Sequence, residues 1–88
     1  NLKDNESILI YPNPTKADSI HISIPNHYPT DKYQVTLFDM KGVLINSSIH
    51  AEKDITLHLP NMDIGTYIIQ IQTSESTHSQ LLIVGTKF

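Results

Sequence analysis

The strongest constraint on this chain is a period of two. Ile20, Ile22 and Ile24 alternate with His21 and Ser23, and Tyr33, Val35 and Leu37 alternate with Gln34 and Thr36. Ile55, Leu57 and Leu59 are separated by Thr56 and His58, while Tyr67, Ile69 and Ile71 are set among Thr66, Gln70 and Gln72. Successive side chains of a strand point to opposite faces, so each run is a ribbon with one apolar and one polar side. Ser7 to Tyr11, Val43 to His50 and Gln80 to Val84 are three further β-rich runs. The runs begin about 10 to 13 residues apart, the rhythm of a sandwich or barrel of about seven strands. No segment carries the stripe an amphipathic helix needs.

The connections carry turn chemistry. Pro12-Asn13-Pro14-Thr15 is expected to end a ladder, because each proline lacks its N–H and fixes φ. Asp39-Met40-Lys41-Gly42 suits a type I turn closed by a glycine of positive φ. Pro25 to Asp31 reads as a long polar loop, Pro60 as the end of the fifth strand, and Ser74 to Ser79 as a flexible polar connection. Asp63-Ile64-Gly65-Thr66-Tyr67 has the spacing of a tyrosine corner, in which a tyrosine hydroxyl bonds back to upstream backbone. Gly65 is expected in a conformation closed to residues with a β-carbon. Ile69 stands where antibody domains place a cysteine. The fold class is therefore all-β: an immunoglobulin-like antiparallel β-sandwich of about seven strands, without a disulfide.

Eighty-eight residues suffice for one domain. Residues 7–88 read as the sandwich, and 1–6 as a linker from an upstream domain. The start at Asn1 reads as a cut rather than a natural beginning. A hydrophobic fraction of 39% with net charge −3 separates the chain from disordered sequences. Without cysteine there is no thiolate nucleophile, cysteine-type zinc site or redox role. The six basic residues are all lysines, scattered and outnumbered by nine acids, which disfavours nucleic acid as a partner. No apolar run has the length of a membrane-spanning helix.

A search for chemistry returns little. His21, His27, His50, His58 and His78 lack metal-ligand spacing, and His21 and His58 fall on outward strand faces. Asp4-Asn5-Glu6 lacks a calcium-loop pattern, and the other carboxylates sit almost wholly in loops, Asp39 and Asp63 in turn roles. Neither a nucleophile elbow nor a glycine-rich phosphate loop is present. No metal, cofactor or small-molecule substrate is expected. Tyr11, Tyr28, Tyr33 and Phe38 are candidates for a sugar-stacking platform, although Tyr33 reads as core. Asn5-Glu6-Ser7 and Asn46-Ser47-Ser48 match the glycosylation acceptor pattern.

Four segments in order carry a family resemblance. They are Ile8-Leu9-Ile10-Tyr11-Pro12-Asn13-Pro14-Thr15, Val35 to Leu44 with Asp39 and Gly42 at its turn, Met62-Asp63-Ile64-Gly65-Thr66-Tyr67-Ile68-Ile69, and the closing Leu81-Leu82-Ile83-Val84 followed by Lys87. Together they resemble a type A C-terminal sorting domain of the type IX secretion system of Bacteroidetes. Met62 departs from the usual leucine and Gln80 from a frequent lysine, and Gly85 to Phe88 runs past the usual end.

The resemblance implies a non-catalytic signal attached to an upstream cargo domain. Such a signal directs the cargo from the periplasm across the outer membrane, to be secreted or held at the cell surface. A sortase-like peptidase typically then removes the domain and anchors the cargo. The implied partners are the translocon, shuttle and sortase-like components. By resemblance, the signal residues are Pro12, Asn13, Pro14, Asp39, Gly42, Gly65, Tyr67, Leu81, Leu82, Ile83, Val84 and Lys87. A closing strand with apolar residues on both faces is either buried on both sides or an edge awaiting a partner strand. The alternative reading is a structural or carbohydrate-associated immunoglobulin-like module of an extracellular or periplasmic protein.

Overall fold

A computed structural model of the chain describes residues 7–16, 19–26, 28, 32–60 and 62–85. Seven antiparallel strands follow the alternation: β1 (Leu9–Tyr11), β2 (Ser19–Ser23), β3 (Tyr33–Asp39), β4 (Leu44–His50), β5 (Asp54–His58), β6 (Gly65–Gln72) and β7 (Thr77–Val84). One sheet runs β1-β2-β5 and the other β4-β3-β6-β7. The sandwich class read from the sequence is what forms.

The apolar half of each ribbon builds the core. Ile20, Ile22, Val35, Leu37, Ile69, Ile71, Leu82 and Val84 are almost completely buried, with Ile10, Ile55 and Leu57 beside them. Fully burying such a side chain contributes about 1.5–3 kcal/mol, so the two inner faces are the main source of stability. Tyr33 is buried too, and its hydroxyl receives a hydrogen bond from Lys53 Nζ at 3.2 Å. The same ammonium donates to the Pro25 and Tyr28 carbonyls at 3.2 and 2.8 Å, tying the loop after β2 to the turn before β5.

The turns follow their residues, with two exceptions. Asp39 Oδ1 accepts from the Lys41 and Val43 amides, both at 2.9 Å, and Gly42 closes the turn at φ 86°. Tyr67 Oη donates to the Asp63 carbonyl at 2.6 Å, so the tyrosine corner is present. Gly65, however, lies outside the left-handed region, and an added β-carbon meets only the Tyr67 ring at 4.0 Å. It pairs with Val84 as the first residue of β6, so its expected special backbone is absent. The second exception is the stretch before the last strand. Thr77 to Ser79 are already paired in β7, and the connection is a tight turn held by Thr73. The Thr73 hydroxyl accepts from the Glu75 and Ser76 amides at 3.2 and 3.0 Å, and its own N–H donates to the Ser76 carbonyl at 2.8 Å.

Candidate functional site

The first and last of the four sequence segments meet in space. β1 pairs with β2 as far as Tyr11, and the proline turn then carries the chain across to the other sheet. There Thr15 forms a parallel bridge with Val84: its N–H donates to the Ile83 carbonyl at 2.8 Å, and its carbonyl accepts from Gly85 N–H at 2.9 Å. The Asn13 side chain extends this pairing. Nδ2 donates to the Leu81 carbonyl at 3.0 Å, and Oδ1 accepts from Ile83 N–H at 2.9 Å. A side-chain amide offers one donor and one acceptor, so Asn13 reproduces the pairing of one residue of a neighbouring strand. Thr15 is buried and its hydroxyl donates to the Ser19 carbonyl at 3.1 Å, fixing the crossover from within. Pro12 and Pro14 flank Asn13, and both preceding peptide bonds are cis. Thr15, the first residue after the prolines that has an N–H, does resume pairing, but with β7 instead of β2.

The closing strand is an edge strand with two different faces. Leu82 and Val84 point into the core at 0% exposure, while Leu81 and Ile83 stand 52% and 41% exposed on the outer face. The two alternatives left open by the sequence are thus resolved: one face is buried and the other is bare. Cross-strand register aligns Leu81 with Ile68, Ile68 with Phe38 and Phe38 with Leu44, an apolar row across all four strands. Ile83 lies beside it, paired with Thr66. The rest of this face is uncharged: Ile49, paired with Gln34, is 66% exposed, and the other members are polar. Gln70 Nε2 donates to Ser79 Oγ at 3.3 Å, and Gln34 Nε2 to Ser47 Oγ at 3.2 Å. No residue on the outer face of these four strands carries a formal charge. Exposed sheet faces usually carry lysine or glutamate, and this one carries an apolar row and no charge. The sequence alone does not reveal this, since it requires reading four strands in register.

The other predicted signal residues fall nearby or support this face. Asp39 and Gly42 shape the β3–β4 turn that delivers Leu44 to the end of the row. Tyr67 pairs with Leu82 and faces the core side of β6, with Gly65 at the strand's start. Lys87 lies outside the described residues. Gly85, which the sequence reading did not single out, packs against the proline turn: a β-carbon there would stand 3.3 Å from Pro14 Cβ. Its position directly after the apolar closing run was the available signal.

One side-chain line with catalytic polarity also went unread. Ser48 Oγ lies 2.7 Å from His50 Nε2, and His50 Nδ1 lies 3.3 Å from Glu52 Oε1. The i, i+2 spacing of Ser48 and His50 on one strand was its signal. A shallow cavity of about 350 Å³ at the polar end of the sheet is lined by Lys32, Gln34, Ile49, Gln72, Thr73 and Ser74, none of them aromatic. The sugar-platform candidates are scattered: Tyr11 leans on His21 at 5.5 Å between rings, Tyr28 packs against the core and Tyr33 is buried. Among the described residues no group of histidines and carboxylates is arranged to hold a metal.

Comparison with known proteins gives one family. The model of the secretion system C-terminal sorting domain matches residues 9–85, spanning all seven strands. No curated protein matches the chain.

Proposed function

The chain belongs to the secretion system C-terminal sorting domain family, and from that premise we propose that residues 7–88 form the export signal of a longer protein, with 1–6 linking it to a cargo domain. Membership makes this a sorting signal of the type IX system, which marks the protein carrying it for passage across the outer membrane. The reading extends further: after export a sortase-like peptidase removes the domain and the cargo is anchored at the cell surface or released. The domain acts by recognition, without catalysis, and the translocon and shuttle components are its readers.

The observation that carries this reading is the joint presentation of the proline turn and the closing strand. Asn13 and Thr15 bind Leu81, Ile83 and Gly85, so a reader meets one element built from the proline turn and the closing strand. Pro12, Asn13, Pro14, Leu81, Leu82, Ile83 and Val84 act together in it, Asp39, Gly42, Gly65 and Tyr67 set the frame that carries it, and Lys87 belongs to the signal by resemblance. Pre-ordering of this kind lowers the entropic cost of binding.

The processing steps are tested with residues 1–88 fused behind a periplasmic reporter in a host that has this secretion system. Exported reporter that has lost the mass of the domain and carries lipopolysaccharide is the expected product. Exported reporter that keeps the whole domain overturns the removal step while leaving the export reading intact.

A further inference from the structure

We infer that the first half of the β7 edge, Thr77 to Leu81, is a docking site for an extended segment of a partner protein, which adds as a fifth strand to the four-stranded sheet. The inference rests on the sorting reading above and names how its surface is read. Ile83 turns its N–H and C=O away from β6, toward Asn13 and Thr15. By the alternation of an antiparallel ladder, Thr77, Ser79 and Leu81 point their main-chain groups the same way. From Leu81 onward that edge is closed by the Asn13 amide and Thr15. From Thr77 to the Leu81 N–H, no strand of the described residues lies beyond it. The open window is bounded at its other end by the turn that Thr73 holds.

Natural edge strands are usually guarded by charge, proline or a bulge. β7 has none of these: its sequence Thr-His-Ser-Gln-Leu-Leu-Ile-Val is uncharged apart from histidine, and its register with β6 is unbroken over eight pairs. The opposite edge strand, β4, is guarded by a register shift between Leu37 and Phe38. The window also ends at Leu81, where the apolar row Leu44–Phe38–Ile68–Leu81 runs out into solvent. The occupant therefore has an extended backbone and an apolar side chain opposite Leu81 to continue the row. A second copy of this chain fits less well. Antiparallel pairing of two β7 strands about Ser79 brings Thr77, a polar residue, against Leu81.

The test compares Ser79→Pro with Ser79→Ala in the reporter fusion of residues 1–88. Alanine keeps the outward N–H, whereas proline removes it and places a ring on the edge, without breaking a bond to β6. Ser79→Ala is expected to export like the wild type. Ser79→Pro is expected to lose about tenfold or more, because one main-chain hydrogen bond is lost and the ring holds the added strand off the edge. Circular dichroism of both variants checks the fold, and Thr77→Pro repeats the measurement if Ser79→Pro unfolds. Wild-type export with undiminished Ser79→Pro export overturns the docking site alone. Wild-type retention in the periplasm overturns the sorting reading itself. A wild type that sediments as a dimer beside a monomeric Ser79→Pro assigns the edge to self-pairing and also overturns the proposal.

Discussion

Asn13 makes two hydrogen bonds that a neighbouring strand would otherwise make, across 68 and 70 positions of sequence. Both are exposed, so each contributes at the lower end of the usual 0.5–1.5 kcal/mol range. Asn13→Ala is expected to lower stability by about 1 kcal/mol and to speed amide exchange at Ile83, measured by denaturant unfolding and hydrogen exchange. Unchanged exchange at Ile83 would mean the clip does not hold the strand. Gly42 stands at φ 86° with no atom within 4 Å of an added β-carbon, so only backbone strain opposes substitution. Gly42→Ala should cost about 1 kcal/mol and Gly42→Asn clearly less, because asparagine tolerates that region. Lys53 is the corresponding residue at the other end of the molecule. Lys53→Met removes the ammonium from three oxygen acceptors and should lower the melting temperature by several degrees, about 4–8 °C per kcal/mol in a domain of this size.

At the scale of elements, strands and turns were legible to different degrees. Inner-face alternation located β2, β3 and β5 almost residue for residue, because burial of isoleucine, leucine and valine dictates both pattern and fold. The start of β7 was not legible. Thr77, His78 and Ser79 are polar because they lie at an edge with one wet face, so they lack the alternation that marks a half-buried strand. The Asp39 turn and the tyrosine corner were legible because their chemistry is local. The Asn13 clip was not, since a side-chain amide bonded to a distant strand leaves no periodic trace. The β7 edge makes its own prediction. Leu81→Ser removes the outward end of the apolar row without touching Leu82 or Val84, so the domain should fold normally and export poorly. Normal export of a folded Leu81→Ser variant would show that the row is not read. Deleting Leu81 to Phe88 asks a different question, because it also removes the buried Leu82 and Val84 and with them part of the core.

For the whole molecule, the division of labour follows the two sheets. The three-stranded sheet and the inner faces supply stability. The four-stranded sheet turns an uncharged outer face and an incompletely closed edge to the outside, beside the point where the proline turn is fastened to β7. The fold class and family were readable from ordered motifs. The uncharged face was not, because its members come from four strands and only register brings them together. The central claim is that this surface is an export signal. Its most direct measurement is the amount of reporter outside the cell against that in the periplasm, for a fusion to residues 1–88, in a host with the type IX secretion pore and in an otherwise identical host lacking it. The account predicts reporter outside only where the pore is present. Equal periplasmic retention in both hosts, with the domain folded, would contradict it.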